Sequence, residues 1–90
     1  GDYFSSAQYF FQSNGDMTKA LEYVNKAVAM TAEKGTPFWY NRLKSQIQAK
    51  LGDKKGAIET AKASLEAAEK AGNADYVKMN KDSISEWSKK

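Results

Sequence analysis

The sequence predicts an all-α protein of five helices that form a single domain over residues 1–90. The chain contains one proline and six glycines, and it is rich in Ala, Lys, Glu and Gln, which favour helices. A shift of 37 residues also aligns the apolar positions of one part of the chain with those of another at helical spacing. These observations favour short helices packed as repeated units.

Turn residues divide the chain into its helices. Gly15-Asp16 and Gly52-Asp53 each pair a residue that can end one helix with a side chain that can cap the next. Gly35-Thr36-Pro37 predicts another boundary, with the threonine as N-cap and the proline in the first helical position. Gly72-Asn73 is the fourth such signal. The predicted helices lie near residues 3–14, 16–34, 37–51, 53–71 and 74–88.

The 37-residue shift places the second predicted helix on the fourth and the first on the third. The aligned positions are small, apolar or aromatic and include the pairs Ala20/Ala57, Val24/Ala61, Ala27/Ser64, Tyr3/Tyr40 and Phe10/Ile47. A second shift reaches Val77 and Ile84, so the fifth helix corresponds to the first helix of a third unit. We therefore predict two antiparallel hairpins, over about residues 2–35 and 37–72, closed by a capping helix over 74–88.

The hairpins resemble tetratricopeptide repeats. The segment Phe4–Phe11, aromatic at both ends, is similar to the opening of that motif, and Ala20, Val24 and Ala27 stand at its later small and apolar positions. The unit is longer than the usual period of about 34 residues, and the proline that often closes it is absent. The resemblance implies a right-handed α-solenoid fragment whose concave surface, formed by the first helix of each unit, binds a peptide.

Carried over position by position, the resemblance predicts a partner-binding face. Its residues are Tyr9, Gln12, Trp39, Arg42, Gln46, Met79 and Ser83, with Lys50 at the rim. Trp39, Arg42 and Gln46 are spaced by three and four, so they share one side of a helix. An aromatic ring, a cation and an amide can together hold an apolar side chain and satisfy a peptide backbone. The alternative is that Trp39 packs on a neighbouring helix while Arg42 is solvated.

The second half of the chain also resembles the carboxy-terminal helical region of a bacterial family of unknown function. The similarity is carried by the segments LKSQIQAKLGDKKGAIETAKASLEAAEKAGNADYVKMN and ISEW. Proteins of that family carry an N-terminal β-sandwich domain, and many are exported. The resemblance implies that this chain, which opens on Gly1-Asp2, is a fragment of a longer exported or periplasmic protein. The helices would then dock on that upstream domain or bind a separate peptide.

The composition argues against catalysis and against nucleic-acid binding. The chain has no cysteine and no histidine, so the usual thiol nucleophile and the usual general base are missing. Its net charge of +3 comes almost entirely from lysines interleaved with carboxylates. No apolar run approaches the roughly 20 residues that span a bilayer. We expect a non-catalytic interaction or scaffold module with no cofactor or metal. The alternative is a structural or dimerising appendage that pairs through its aromatic first helix.

Smaller features receive structural interpretations. Ile84 and Trp87 are expected to close the open end of the second hairpin, the alternative for Trp87 being a stacked ligand. Glu22 with Lys26 is predicted to form an i,i+4 ion pair on the helix surface. Gly56 lies in the first turn of a helix and is interpreted as tolerated there.

Overall fold

The computed structural model describes residues 2–89 and contains five α-helices. They are α1 (Tyr3–Gln12), α2 (Met17–Thr31), α3 (Phe38–Lys50), α4 (Lys54–Ala71) and α5 (Ala74–Ser88). No β-strand occurs among residues 2–89. The predicted all-α class is therefore confirmed.

Side-chain caps set where most of the helices begin. Asp16 and Asp53 accept hydrogen bonds from backbone amides three residues later, at 3.1 and 2.9 Å. Asn73 does the same at the start of α5, at 3.0 Å, directly after Gly72 has ended α4 with a φ of 71°. Each cap satisfies an amide that has no partner within its own helix.

The start of α3 differs from the prediction. Pro37 occupies the N-cap position rather than the first helical position, and no side chain caps the helix. The hydroxyl of Thr36 lies 3.1 Å from the hydroxyl of Thr31, near the end of α2. Because Thr36 is engaged with α2, it does not reach the amides that open α3.

Gly56 is required by the cap of α4, so its interpretation as merely tolerated is wrong. A Cβ atom at this position would collide with the carboxylate of Asp53 in its capping orientation. The amide that Asp53 caps is that of Gly56 itself. The absence of a side chain therefore lets the carboxylate approach the first turn.

Contacts between helices follow their order in the chain. α1 packs on α2 and α3 packs on α4, while α2 contacts α3 and α4 contacts α5. α3 additionally contacts α1 and α5. The two hairpins and the closing helix are thus present, and α3 is the central element.

The interior is built around small residues of α2 and α4. Ala20 and Val24 on α2, and Ala57 and Ala61 on α4, have no exposed surface. Ser64 is also fully buried. These are the positions that the 37-residue shift aligns, and small side chains there allow the helix backbones to approach closely.

A buried polar chain joins the last three helices. Asn80 of α5 has no exposed surface, and its Nδ2 donates to the Ser64 hydroxyl at 2.8 Å. That hydroxyl in turn donates to the carbonyl oxygen of Phe38 at 2.7 Å. Ile84 and Trp87 are partly buried on the same helix as Asn80. The closing helix is therefore polar at the centre of its contact, where only apolar packing was predicted.

We expect Ala57→Leu to lower the free energy of unfolding by about 1–3 kcal/mol, because leucine does not fit a fully buried alanine site. Ala63→Leu is the matched control, since Ala63 is exposed on the same helix. Urea denaturation followed by circular dichroism measures both. Equal unfolding midpoints for the two variants would contradict the proposed packing of α4.

Asn80→Ala should lower the free energy of unfolding by about 1–3 kcal/mol, because it removes a buried hydrogen bond and leaves the Ser64 hydroxyl without that donor. Hydrogen exchange should show the largest loss of protection along α5. Ser85→Ala, at an exposed position of α5, is the control. A loss of stability no larger than in that control would show that the polar chain does not hold α5.

Candidate functional site

The residues of the predicted partner-binding face lie on α1, α3 and α5. Tyr9 and Gln12 belong to α1, Met79 and Ser83 to α5, and the α3 members are Trp39, Arg42, Gln46 and Lys50. Because α3 contacts both α1 and α5, its residues stand between those of the other two helices. We call this set the α1–α3–α5 face.

Three large hydrophobic side chains of this face are exposed. Tyr9 is 67 % exposed, Trp39 43 % and Met79 38 %. The Trp39 ring packs edge-on against Phe38 and Tyr40, with ring centres 4.9 and 6.2 Å apart. A large ring that is held by its neighbours yet exposed loses little conformational freedom when a partner covers it.

Arg42 joins α3 to α5. Its Nη1 donates to Ser83 Oγ at 2.7 Å and lies within 3.4 Å of the carbonyl oxygen of Met79 and of Asn80 Oδ1. Burial lowers the pKa of Arg42, and Tyr76 acts in the opposite direction. Arginine stays charged because its ordinary pKa is so high. Arg42, Met79 and Ser83 are thus brought together, with the guanidinium bound to α5 rather than fully solvated.

Lys50 links the other end of α3 to α1. Its Nζ lies 3.4 Å from Asn14 Oδ1, just beyond α1, and 5.7 Å from the centre of the Phe11 ring. Gln46, one turn earlier on α3, is partly buried, while Gln12 of α1 is exposed. The stripe from Trp39 to Lys50 therefore contacts α5 near its middle and α1 at its end.

Carboxylates are absent from the two helices at the centre of this face. α1 and α3 contain no Asp or Glu, whereas α3 carries Arg42, Lys44 and Lys50. The ion pairs found within residues 2–89 lie towards the end of the chain and are Glu66–Lys70, Lys78–Asp82 and Glu86–Lys89. The α1–α3 side is therefore positively charged with no carboxylate of its own, which favours an anionic partner.

The two predicted helix ion pairs have different outcomes. Glu66 and Lys70 lie 3.3 Å apart on α4, as predicted. Lys26 does not pair with Glu22, and its Nζ instead lies 5.3 Å from the centre of the Tyr3 ring on α1. An aromatic ring can attract an ammonium group through its negative face.

No cluster of three metal-ligating side chains occurs among residues 2–89. Within the same residues, no helix is long and apolar enough to cross a membrane. The acidic pair considered on α5 is divided between lysines, with Asp82 bound to Lys78 at 2.9 Å and Glu86 to Lys89 at 3.3 Å. What the surface can do chemically is bind, through exposed aromatic and apolar side chains beside unpaired positive charge.

Sequence analysis did not identify the polar residues that position α5. Asn80 lies 37 residues after the buried Leu43, so a polar side chain on an apolar stripe was visible in the sequence. Ser64 was recognised only as a small residue, and its hydroxyl is what distinguishes it from the aligned Ala27. Ser45 is buried as well, and its hydroxyl donates to the Arg42 carbonyl oxygen at 2.7 Å.

Comparison with known protein families, with curated proteins and with solved structures finds no match to this chain. A helical fold by itself is compatible with many functions. The function must therefore be argued from the chemistry of the α1–α3–α5 face.

Proposed function

We propose that the protein is a non-catalytic interaction module that binds an extended peptide on the α1–α3–α5 face. The observation that carries this proposal is the exposure of Tyr9, Trp39 and Met79 on three helices that contact one another in succession. Exposed aromatic and methionine side chains are typical anchors of binding surfaces. The proposal includes the right-handed, tetratricopeptide-like arrangement that the sequence suggests, because that arrangement makes the first helices line one groove.

The charges of this face indicate what the peptide carries. Lys50 is exposed at one end, and neither α1 nor α3 contains a carboxylate that could neutralise it. A peptide with acidic residues beside an apolar anchor would place negative charge near Lys50 and an apolar side chain near Trp39. Such complementarity mainly increases the association rate and the specificity.

Arg42 has a supporting role in this proposal. Because its guanidinium donates to Ser83 and to the carbonyl of Met79, it fixes α5 relative to α3. The distance between Trp39 and Met79 then depends on a side chain that need not touch the peptide. This differs from the sequence-based interpretation, in which Arg42 contacts the partner directly.

A random peptide library selected against the protein should yield ligands enriched in acidic and apolar residues. Trp39→Ser should weaken the best of them about tenfold, which corresponds to ~1.4 kcal/mol, because it removes the aromatic anchor. Isothermal titration calorimetry measures the affinity, and amide chemical shifts locate the binding surface. Met30→Ser is the control, since Met30 is 73 % exposed on α2, outside the proposed face.

Two results would contradict this proposal. One is an affinity that falls equally in the Trp39 and Met30 variants. The other is a set of shift changes confined to α2 and α4 rather than α1, α3 and α5. Binding that does not weaken with added salt would leave the groove in place but refute the acidic character of the peptide.

A structural or dimerising role is the second candidate. It is favoured by the exposure of Tyr3, Tyr9 and Met30, which all lie on the α1–α2 hairpin. In that case sedimentation equilibrium should show a dimer that Tyr9→Ser dissociates, because the aromatic first helix would form the contact. A monomer over the whole accessible concentration range would exclude this candidate.

A further inference from the structure

α1 lacks the cover that the corresponding later helices have. α3 packs on α2 and α1, which precede it, and α5 packs on α4 and α3. Within residues 2–89, α1 contacts only α2 and α3, both of which follow it. The side of α1 that corresponds to the α2-covered side of α3 therefore carries no helix.

The aligned residues show the difference in burial. Ile47 of α3 has no exposed surface and lies in one buried cluster with Ala20 and Val24 of α2. Phe10, its counterpart 37 residues earlier, is only partly buried. Tyr3, which aligns with Tyr40, is 37 % exposed. The first unit thus leaves aromatic surface open at positions that the second unit covers with a helix.

The open side carries a stack of three aromatic rings. Tyr23 stacks on Tyr3 with ring centres 6.2 Å apart and on Phe10 with ring centres 5.8 Å apart, at interplanar angles of 20° and 10°. Tyr23 itself has no aromatic counterpart in the second unit, where Thr60 occupies the aligned position. We call Tyr3, Phe10 and Tyr23 the aromatic stack, a surface distinct from the α1–α3–α5 face.

We propose that the aromatic stack receives one amphipathic helix from a partner protein, packed as α2 packs on α3. The internal repeat indicates the chemistry of that helix. It should present small or apolar residues at i, i+4 and i+7, as α2 does with Ala20, Val24 and Ala27. Such a stripe lets a helix backbone lie close to the rings.

A second copy of this chain does not supply that helix. Both of its small-residue stripes are already used within the fold, since Ala20, Val24, Ala57 and Ala61 have no exposed surface. The exposed positions of α5 are mostly charged or polar, with Lys78, Lys81, Asp82, Ser85 and Glu86 among them. Small residues therefore have to come from a different protein.

A fusion can test this proposal with the chain's own α2 as the probe helix. A copy of residues 16–37 placed directly before Gly1 keeps the 37-residue register, so the added helix can pack on α1 as α2 packs on α3. The thermal midpoint of the full chain should rise by about 5 °C. The matched control carries Ala20→Glu and Ala27→Glu in the added copy alone, which should abolish the increase because the glutamates block close approach.

Substitutions in the chain itself locate the added helix. Tyr3→Lys should abolish the increase, whereas Tyr9→Ser should leave it unchanged, because Tyr9 belongs to the peptide-binding face. This pair separates the two surfaces, so loss of peptide binding and failure of helix docking are distinguishable results.

Three outcomes would overturn the helix-docking proposal. Equal midpoints for the fusion and its glutamate control would mean that the aromatic stack needs no small-residue helix. An increase that survives Tyr3→Lys would place the added helix elsewhere. If the unfused chain sediments as a dimer that Tyr3→Lys dissociates, a second copy covers the stack instead.

Discussion

Close approach of the helices at small residues is the constraint on which the rest of the structure depends. Each hairpin brings two helices together along a stripe in which α2 contributes Ala20 and Val24 and α4 contributes Ala57 and Ala61, all fully buried. A domain of this size has little interior, so its few large buried side chains must lie beside these close contacts. Leu43 and Ile47 do so from α3. α3 thereby becomes the helix that joins both hairpins, and every residue of the proposed peptide face is positioned relative to it.

The end of the chain is held by a different kind of interaction. α5 is fixed to α3 and α4 through Asn80, Ser64 and Arg42, whose hydrogen bonds require specific geometry. Apolar packing would permit α5 to slide, whereas a buried amide is satisfied in one position only. The groove between α3 and α5 thus owes its shape to polar residues that do not belong to its exposed surface. The outer side of α5 is polar, as the exposed end of a helical array must be.

The two ends of the molecule differ in the surface they expose. The α1–α2 hairpin exposes aromatic side chains, including Tyr3 and Tyr9, while α5 exposes mostly charged and polar groups. The middle helix α3 adds positive charge without carboxylates. An extended peptide and a packed helix place different demands on a surface, namely a groove with anchors and a flat apolar side. The same α1 contributes Tyr9 to the first and Tyr3 to the second.

The sequence by itself determined the all-α class, the five helices and the small-residue stripes. These features depend on local propensity, on capping by Asp16 and Asp53, and on a repeat that can be read without knowing any contact. The sequence was less reliable where a side chain can choose between partners. Thr36 had equal local reason to cap α3, but the nearby Thr31 hydroxyl engages it. Gly56 became necessary only because of the orientation of one carboxylate.

Only the tertiary structure decided the roles of Arg42, Ser64 and Asn80. Their partners lie 16 or more residues away in the chain, and no periodicity encodes which polar atoms meet across helices. The candidate face was predictable as a set of exposed positions on α1, α3 and α5, since i,i+3 and i,i+4 spacing fixes a side of a helix. Whether a member of that set is free or bound depends on how α5 packs. For Arg42 the packing makes the guanidinium part of the support of the groove.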